Sequence, residues 1–125
     1  MKIITTGLFA MLLLVTLPVF AQSPEDEEDV LTGSELLEGC TDDDGVVTNT
    51  AYCMEFVFGF VQTVAMLQQQ MPASEQVFCI NPNEISLEEV TLNVAQWLDA
   101  QPGRLQEPAF VLATEALNEH YPCAS

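Results

Sequence analysis

The chain has 125 residues, 19 of them Asp or Glu against two Lys or Arg and a single His, for a formal net charge of −17. That field repels nucleic acid and anionic membrane surfaces and favours a basic partner. With 49% apolar residues the composition is that of a folded domain and excludes a disordered chain.

The N-terminus reads as a targeting segment. Lys2 supplies the positive charge, Leu8 to Val15 is an apolar run, and Val19-Phe20-Ala21 ends it in an A-x-A-like pattern. This predicts a secretory signal peptide over residues 1–21, cleaved after Ala21. The run is shorter than the roughly 20 apolar residues that a membrane span needs, so no membrane association is expected after cleavage. Removal of Lys2 leaves Arg104 as the one basic residue facing all 19 acids. Residues 22–31 carry Glu25, Asp26, Glu27, Glu28 and Asp29 and read as an acidic, disordered arm. Residues 32–125 then form one domain.

Thr32 and Glu35 stand at capping-box spacing and open a short helix through Leu36, Leu37 and Cys40. Asp42-Asp43-Asp44-Gly45 is a turn. Its acids are consecutive, and no Glu stands at the twelfth position, so it lacks the alternation of a calcium loop. Thr50 to Gln70 is the longest apolar stretch. Tyr52, Phe56, Gly59, Phe60, Thr63, Val64 and Leu67 follow helical spacing, and Val57, Phe58 and Val61 add a second apolar face. A helix apolar nearly all round is expected to be a buried central helix or a dimerising one. Gln68-Gln69-Gln70 reads as its polar end, with Pro72 as terminator.

Phe78-Cys79-Ile80 reads as extended and Asn81-Pro82-Asn83 as a turn. Ser86 and Glu89 give a second capping-box spacing, and Leu87, Val90, Val94, Trp97 and Leu98 form an amphipathic stripe to about Ala100. Gln101-Pro102-Gly103 breaks it. Pro108 starts a last helix, with Phe110, Val111, Thr114 and Leu117 expected on the core side. The predicted fold is all-α: a small four-helix domain stapled by two disulfides, with little or no sheet.

Four cysteines in a short exported chain read as two disulfides, and four allow three pairings. Cys40–Cys53 and Cys79–Cys123 are favoured. The first would close a short polar loop between two helices, and the second would tie the chain end to the segment before the third helix. The chain-entropy model gives about 3 and about 4 kcal/mol for these loops. No C-x-x-C is present, and no metal or other cofactor is expected. Once the thiols are paired, no cysteine nucleophile remains. His120 sits near a helix C-terminus, where a cation is favoured. No nucleophile elbow or phosphate loop occurs, so binding is expected rather than catalysis.

The second half carries an ordered set of short motifs. They are Phe78-Cys79-Ile80-x-Pro82, Ile85-Ser86-Leu87-Glu88-Glu89-Val90, Val94-x-x-Trp97-Leu98, Pro102-x-Arg104-x-x-x-Pro108-Ala109 and Ala113-x-x-Ala116-Leu117-x-x-x-Tyr121-Pro122-Cys123. The first half adds Leu36-Leu37-x-x-Cys40 and Cys53-x-x-Phe56-Val57-x-Gly59. From about residue 34 to 123 the chain resembles the Tai/Rap family of immunity proteins, which neutralise peptidoglycan amidases delivered by type VI secretion. The resemblance implies a periplasmic, all-helical, non-enzymatic protein, often a homodimer, that occludes the active-site cleft of a secreted amidase. It makes Cys79, Trp97, Leu98 and Pro108 core or staple positions. The motifs do not assign the contact loop. The linker from Asp99 to Glu107, with Asp99, Gln101, Arg104, Gln106 and Glu107, is the first candidate. The loop of Asp42, Asp43 and Asp44 is the second. A general periplasmic protein-binding or acid-responsive chaperone-like module, with no toxin partner, is the alternative reading.

Overall fold

A computed structural model describes residues 29–124. The expected signal peptide and residues 22–28 of the acidic arm lie outside these residues; Leu31, expected at the end of a disordered arm, instead packs against the core and accepts from Ala109 N (2.7 Å). Among the described residues the chain forms four α-helices: α1 (Gly33–Gly39), α2 (Ala51–Gln68), α3 (Leu87–Asp99) and α4 (Ala109–His120). A 3₁₀ turn, Ala73–Glu75, follows α2. No named strand occurs among them, only two isolated bridges, Thr32 with Pro108 and Thr41 with Val47.

The helix starts follow their caps. The Thr32 hydroxyl accepts from Glu35 N at 3.2 Å while the Glu35 carboxylate accepts from Thr32 N at 2.8 Å, so the full capping box forms. Ser86 accepts from Glu89 N at 3.2 Å and forms the first half of its box. Thr50 caps α2 by accepting from Cys53 N at 3.1 Å.

The helices pack in a chain of pairs, α2 on α3 and α3 on α4, with α1 lying across α4 and α3. The centre is therefore α3, where the apolar all-round α2 had been a candidate. Val90, Thr91, Val94, Ala95, Trp97 and Leu98 of α3 are buried, whereas α2 buries only Cys53, Val57 and Gln68. Two-sided contact requires a broad apolar arc, which α3 has. One contact uses one face of α2 and leaves Tyr52, Phe58, Met66 and Leu67 in solvent. By length and mean hydropathy (1.2) α2 would also pass for a membrane span. In the fold it is instead a surface helix, bonded to α1 through Cys40–Cys53. On α4 the expected face is shifted. Phe110 is 52% exposed, and Leu112, Ala113 and Ala116 join Leu117 in the core.

Both favoured disulfides form, each with Cα atoms 4.9 Å apart. Cys40–Cys53 is fully buried within the core cluster. Cys79–Cys123 lies at the surface and ties the chain end to an extended strap, residues 76–81. The strap plugs its Phe78 ring (2% exposed) into the core beside Phe60.

Candidate functional site

The Asp99–Glu107 linker joins the C-terminal end of α3 to the start of α4. Two consecutive turns shape it: Arg104 N donates to Gln101 O (3.0 Å) and Glu107 N to Arg104 O (2.9 Å). Its far end is bonded to the entry of α1, where Gly33 N donates to Glu107 O (2.9 Å) and Ser34 N to Leu105 O (2.8 Å). Gly33 permits this approach. A Cβ there would strike the Leu112 side chain and lie 3.3 Å from Leu105 Cα.

Arg104 holds the linker from the other side. Its Nε and Nη2 donate to Glu107 (2.8 and 2.9 Å), and its Nη1 and Nη2 donate to Glu115 of α4 (2.7 and 2.8 Å). The guanidinium lies 6.0 Å from the centre of the Trp97 ring, in cation–π range. Trp97 Nε1 in turn donates to Glu119 at 2.7 Å. Two bidentate carboxylates and an aromatic face use most of what a planar fork can offer. The bonds from Arg104 hold the Glu107 and Glu115 carboxyls below their ordinary value of 4.5, and the Thr32 bonds do the same for Glu35. A carboxyl lowered by folding contributes stability that is complete above its unfolded value. That contribution is lost as the pH falls through the lowered folded value. The clamp and the α1 cap therefore contribute in full at neutral pH and weaken as the pH falls through these lowered values.

Of the linker residues named from sequence, Asp99 and Gln106 are exposed, and Gln101, Arg104 and Glu107 are half-buried. Arg104 is paired with both Glu107 and Glu115. The exposed tip is Pro102-Gly103. The Asp42 loop is separate. Asp42 Oδ1 accepts from Asp44 N (3.0 Å) and Val46 N (2.8 Å), Gly45 takes φ +80°, and Asp43 and Asp44 face solvent. Only α1, about 10 Å long at 1.5 Å per residue, stands between the two loops, with the linker at its start and the Asp42 loop past its end. Sequence reasoning missed Glu115, Trp97 and Glu119 as the linker's supports. The signal for them was that Arg104 is the only cation beyond Lys2 in a chain of 19 acids, so close carboxylate partners were to be expected.

Elsewhere, a groove of about 370 Å³ runs between α2 and the strap, lined by Val61, Ala65, Phe78 and Ile80. A second groove, of about 190 Å³, continues it past Phe58, Ile85 and Leu87 to Val90. Only the second reaches the N-terminal end of α3, and no linker residue lines either groove. His120 Nδ1 lies 2.9 Å from Ala116 O, one helical turn back. Among the described residues no group of three or more His, Cys, Asp or Glu is arranged to hold a metal ion.

Neither a curated protein nor a solved structure matches the chain. A family model describing Rap1a immunity proteins matches residues 32–123, from the cap of α1 to the last cysteine. Two disulfides suit an oxidising compartment, and with the family they mark an exported protein. The chain belongs to the Rap1a family of immunity proteins, whose partner is a secreted effector protein.

Proposed function

We propose that the protein is exported to the periplasm by a signal peptide cleaved after Ala21. There it binds a peptidoglycan amidase delivered by type VI secretion and silences it by seating the Asp99–Glu107 linker over the active-site cleft. The observation that carries this reading is the linker itself. It is an exposed tip held by backbone bonds on one side and by Arg104 on the other, which is how a loop is made stiff enough to occlude a cleft. The acidic surface supports a basic amidase as partner, because complementary charge speeds encounter. The Asp42–Asp44 loop is a second contact. Oxidised protein beginning at residue 22 should retain a wall amidase from lysate of its own strain and abolish its hydrolysis of peptidoglycan at equimolar ratio. An amidase that stays active, or retention of many unfolded proteins instead, would replace this reading with the chaperone-like one.

A homodimer through the open face of α2 belongs to the same proposal. Gly59 leaves open space where a Cβ would stand, and Tyr52 and Met66, each seven residues from it, share its face. An antiparallel pair crossing at Gly59 therefore sets Tyr52 against Met66 of the second copy, a favourable sulfur–aromatic contact. Sedimentation equilibrium should give the mass of two chains for the wild type and one for Met66→Glu, with equal helix content. A monomeric wild type at its highest soluble concentration would end this part of the proposal.

A further inference from the structure

We infer that Arg104 is a positioning residue for effector recognition, acting through the shape of the linker tip rather than by touching the effector. The inference rests on the linker being the contact loop, as proposed above.

Backbone bonds fix the linker unevenly. Leu105 and Glu107 are tied to α1 by their carbonyls and Gln101 N donates to Leu98 O at the end of α3 (2.9 Å), but the tip Pro102-Gly103 is spanned only by the turn bond from Arg104 N to Gln101 O. Gly103 meets no neighbour that would restrain it, since even a Cβ there would find open space. The arginine that donates that turn bond through its backbone is the same residue whose side chain is fastened to Glu107, Glu115 and Trp97. It thus anchors the middle of the linker to α3 and α4 at once. With its guanidinium engaged by four carboxylate bonds, Arg104 has little left to offer a partner. It lies in a protein whose other charges in the described residues are acidic apart from His120. A recognition role that needed its charge would pull it from this clamp. A role that needs the clamp leaves it in place.

The two roles have different kinetics. If the tip must hold the clamped shape to bind, loosening it reduces the competent fraction, and the apparent Kd rises by the inverse of that fraction. That loss falls on the association rate. Contacts in the complex are unchanged, so dissociation is nearly unaffected. A residue touching the effector would instead raise the dissociation rate on removal.

The test uses the oxidised full domain and the purified peptidoglycan amidase of its strain. Arg104→Gln and Arg104→Lys should each bind about tenfold more weakly through slower association, because lysine keeps the charge but not the two-sided fork. Amides of Gly103 and Leu105 should exchange with deuterium faster than in the wild type, while those of α3 and α4 keep their protection. Glu115→Gln removes half the clamp without touching the linker and should show the same pattern more mildly, so it decides the matter if the Arg104 variants fail to fold. Unchanged affinity with a loosened tip would overturn the inference and leave the immunity reading intact. A tenfold loss carried by faster dissociation would overturn it too, by making Arg104 a contact residue. A wild type that does not bind the amidase would overturn both.

Discussion

Arginines introduced together at Gln101 and Gln106 are expected to weaken amidase binding on the order of 100-fold, since like charges brought together at an interface cost several kcal/mol. Both positions lie on the linker, Gln106 exposed and Gln101 half-buried. Neither side chain makes a hydrogen bond in the fold, and the turn at Gln101 uses backbone atoms only. Substitutions at such places change stability by about 0.5 kcal/mol or less, so each should move Tm by about 4 °C or less. The partner is expected to be basic, and two new cations would meet it at the point of closest approach. The control is the same pair of arginines at Gln69 and Gln70, exposed at the far end of α2. Those alter the overall charge equally but should reduce only the association rate, in a way that salt removes. Surface plasmon resonance at low and high salt separates the two pairs. If the linker and control variants bind alike, the linker is not the contact loop.

What the sequence made legible, and what it hid, divides by the range of the interactions involved. The caps of α1 and α3, the turn at Asp42 and the stop after α2 are local, each decided within four or five residues, and all stand close to where the sequence placed them. Of the three pairings that four cysteines allow, the one favoured from the loop at Cys40–Cys53 and the chain end at Cys123 is the one that forms. The rank order of the helices did not follow, because periodicity shows which faces are apolar but not how many of them find a neighbour. α2 is richer in large apolar residues than α3, yet α3 packs against all three other helices and α2 mainly against one. The same limit misplaced Phe110. The linker was legible as a loop between two periodic segments. Its stiffness was not, because Glu115 lies 11 residues from Arg104 and Trp97 on another helix. The signal peptide and residues 22–28 of the acidic arm lie outside the described structure, and Leu31 at the arm's end is ordered by a contact with α4 that lies 78 residues further along the chain.

Within the polar end Gln68-Gln69-Gln70 of α2, Gln68 is buried and is the residue of greatest consequence for stability. Gln68→Ala is expected to cost about 3 kcal/mol, since each buried polar group left unpaired costs roughly 1–3 kcal/mol. Gln68 is 8% exposed, unlike its two neighbours. Its Oε1 accepts from Val77 N (2.6 Å) and Phe78 N (3.2 Å), and its Nε2 donates to Phe78 O (3.0 Å). One side-chain amide thus stands in for a neighbouring strand and docks the strap that carries Phe78 into the core. Phe78→Ala should cost about 3–5 kcal/mol, as large core truncations do. Because Gln68 acts by seating Phe78, the two losses should fall short of additive by about 1 kcal/mol or more in a double-mutant cycle. Urea unfolding of the oxidised protein measures all four corners, and a Gln68→Ala cost below about 1 kcal/mol would show that the Cys79–Cys123 disulfide and the Asn118 bond to Val77 O hold the strap unaided. Gln68→Glu isolates the donor. It keeps an acceptor for the two amides but turns a carboxylate oxygen toward Phe78 O. Burial and that repulsion raise the folded pKa of the introduced carboxyl above its unfolded value. The variant should therefore be as weak as Gln68→Ala at neutral pH and regain stability as the pH falls through that raised value, where the protonated carboxyl can donate to Phe78 O.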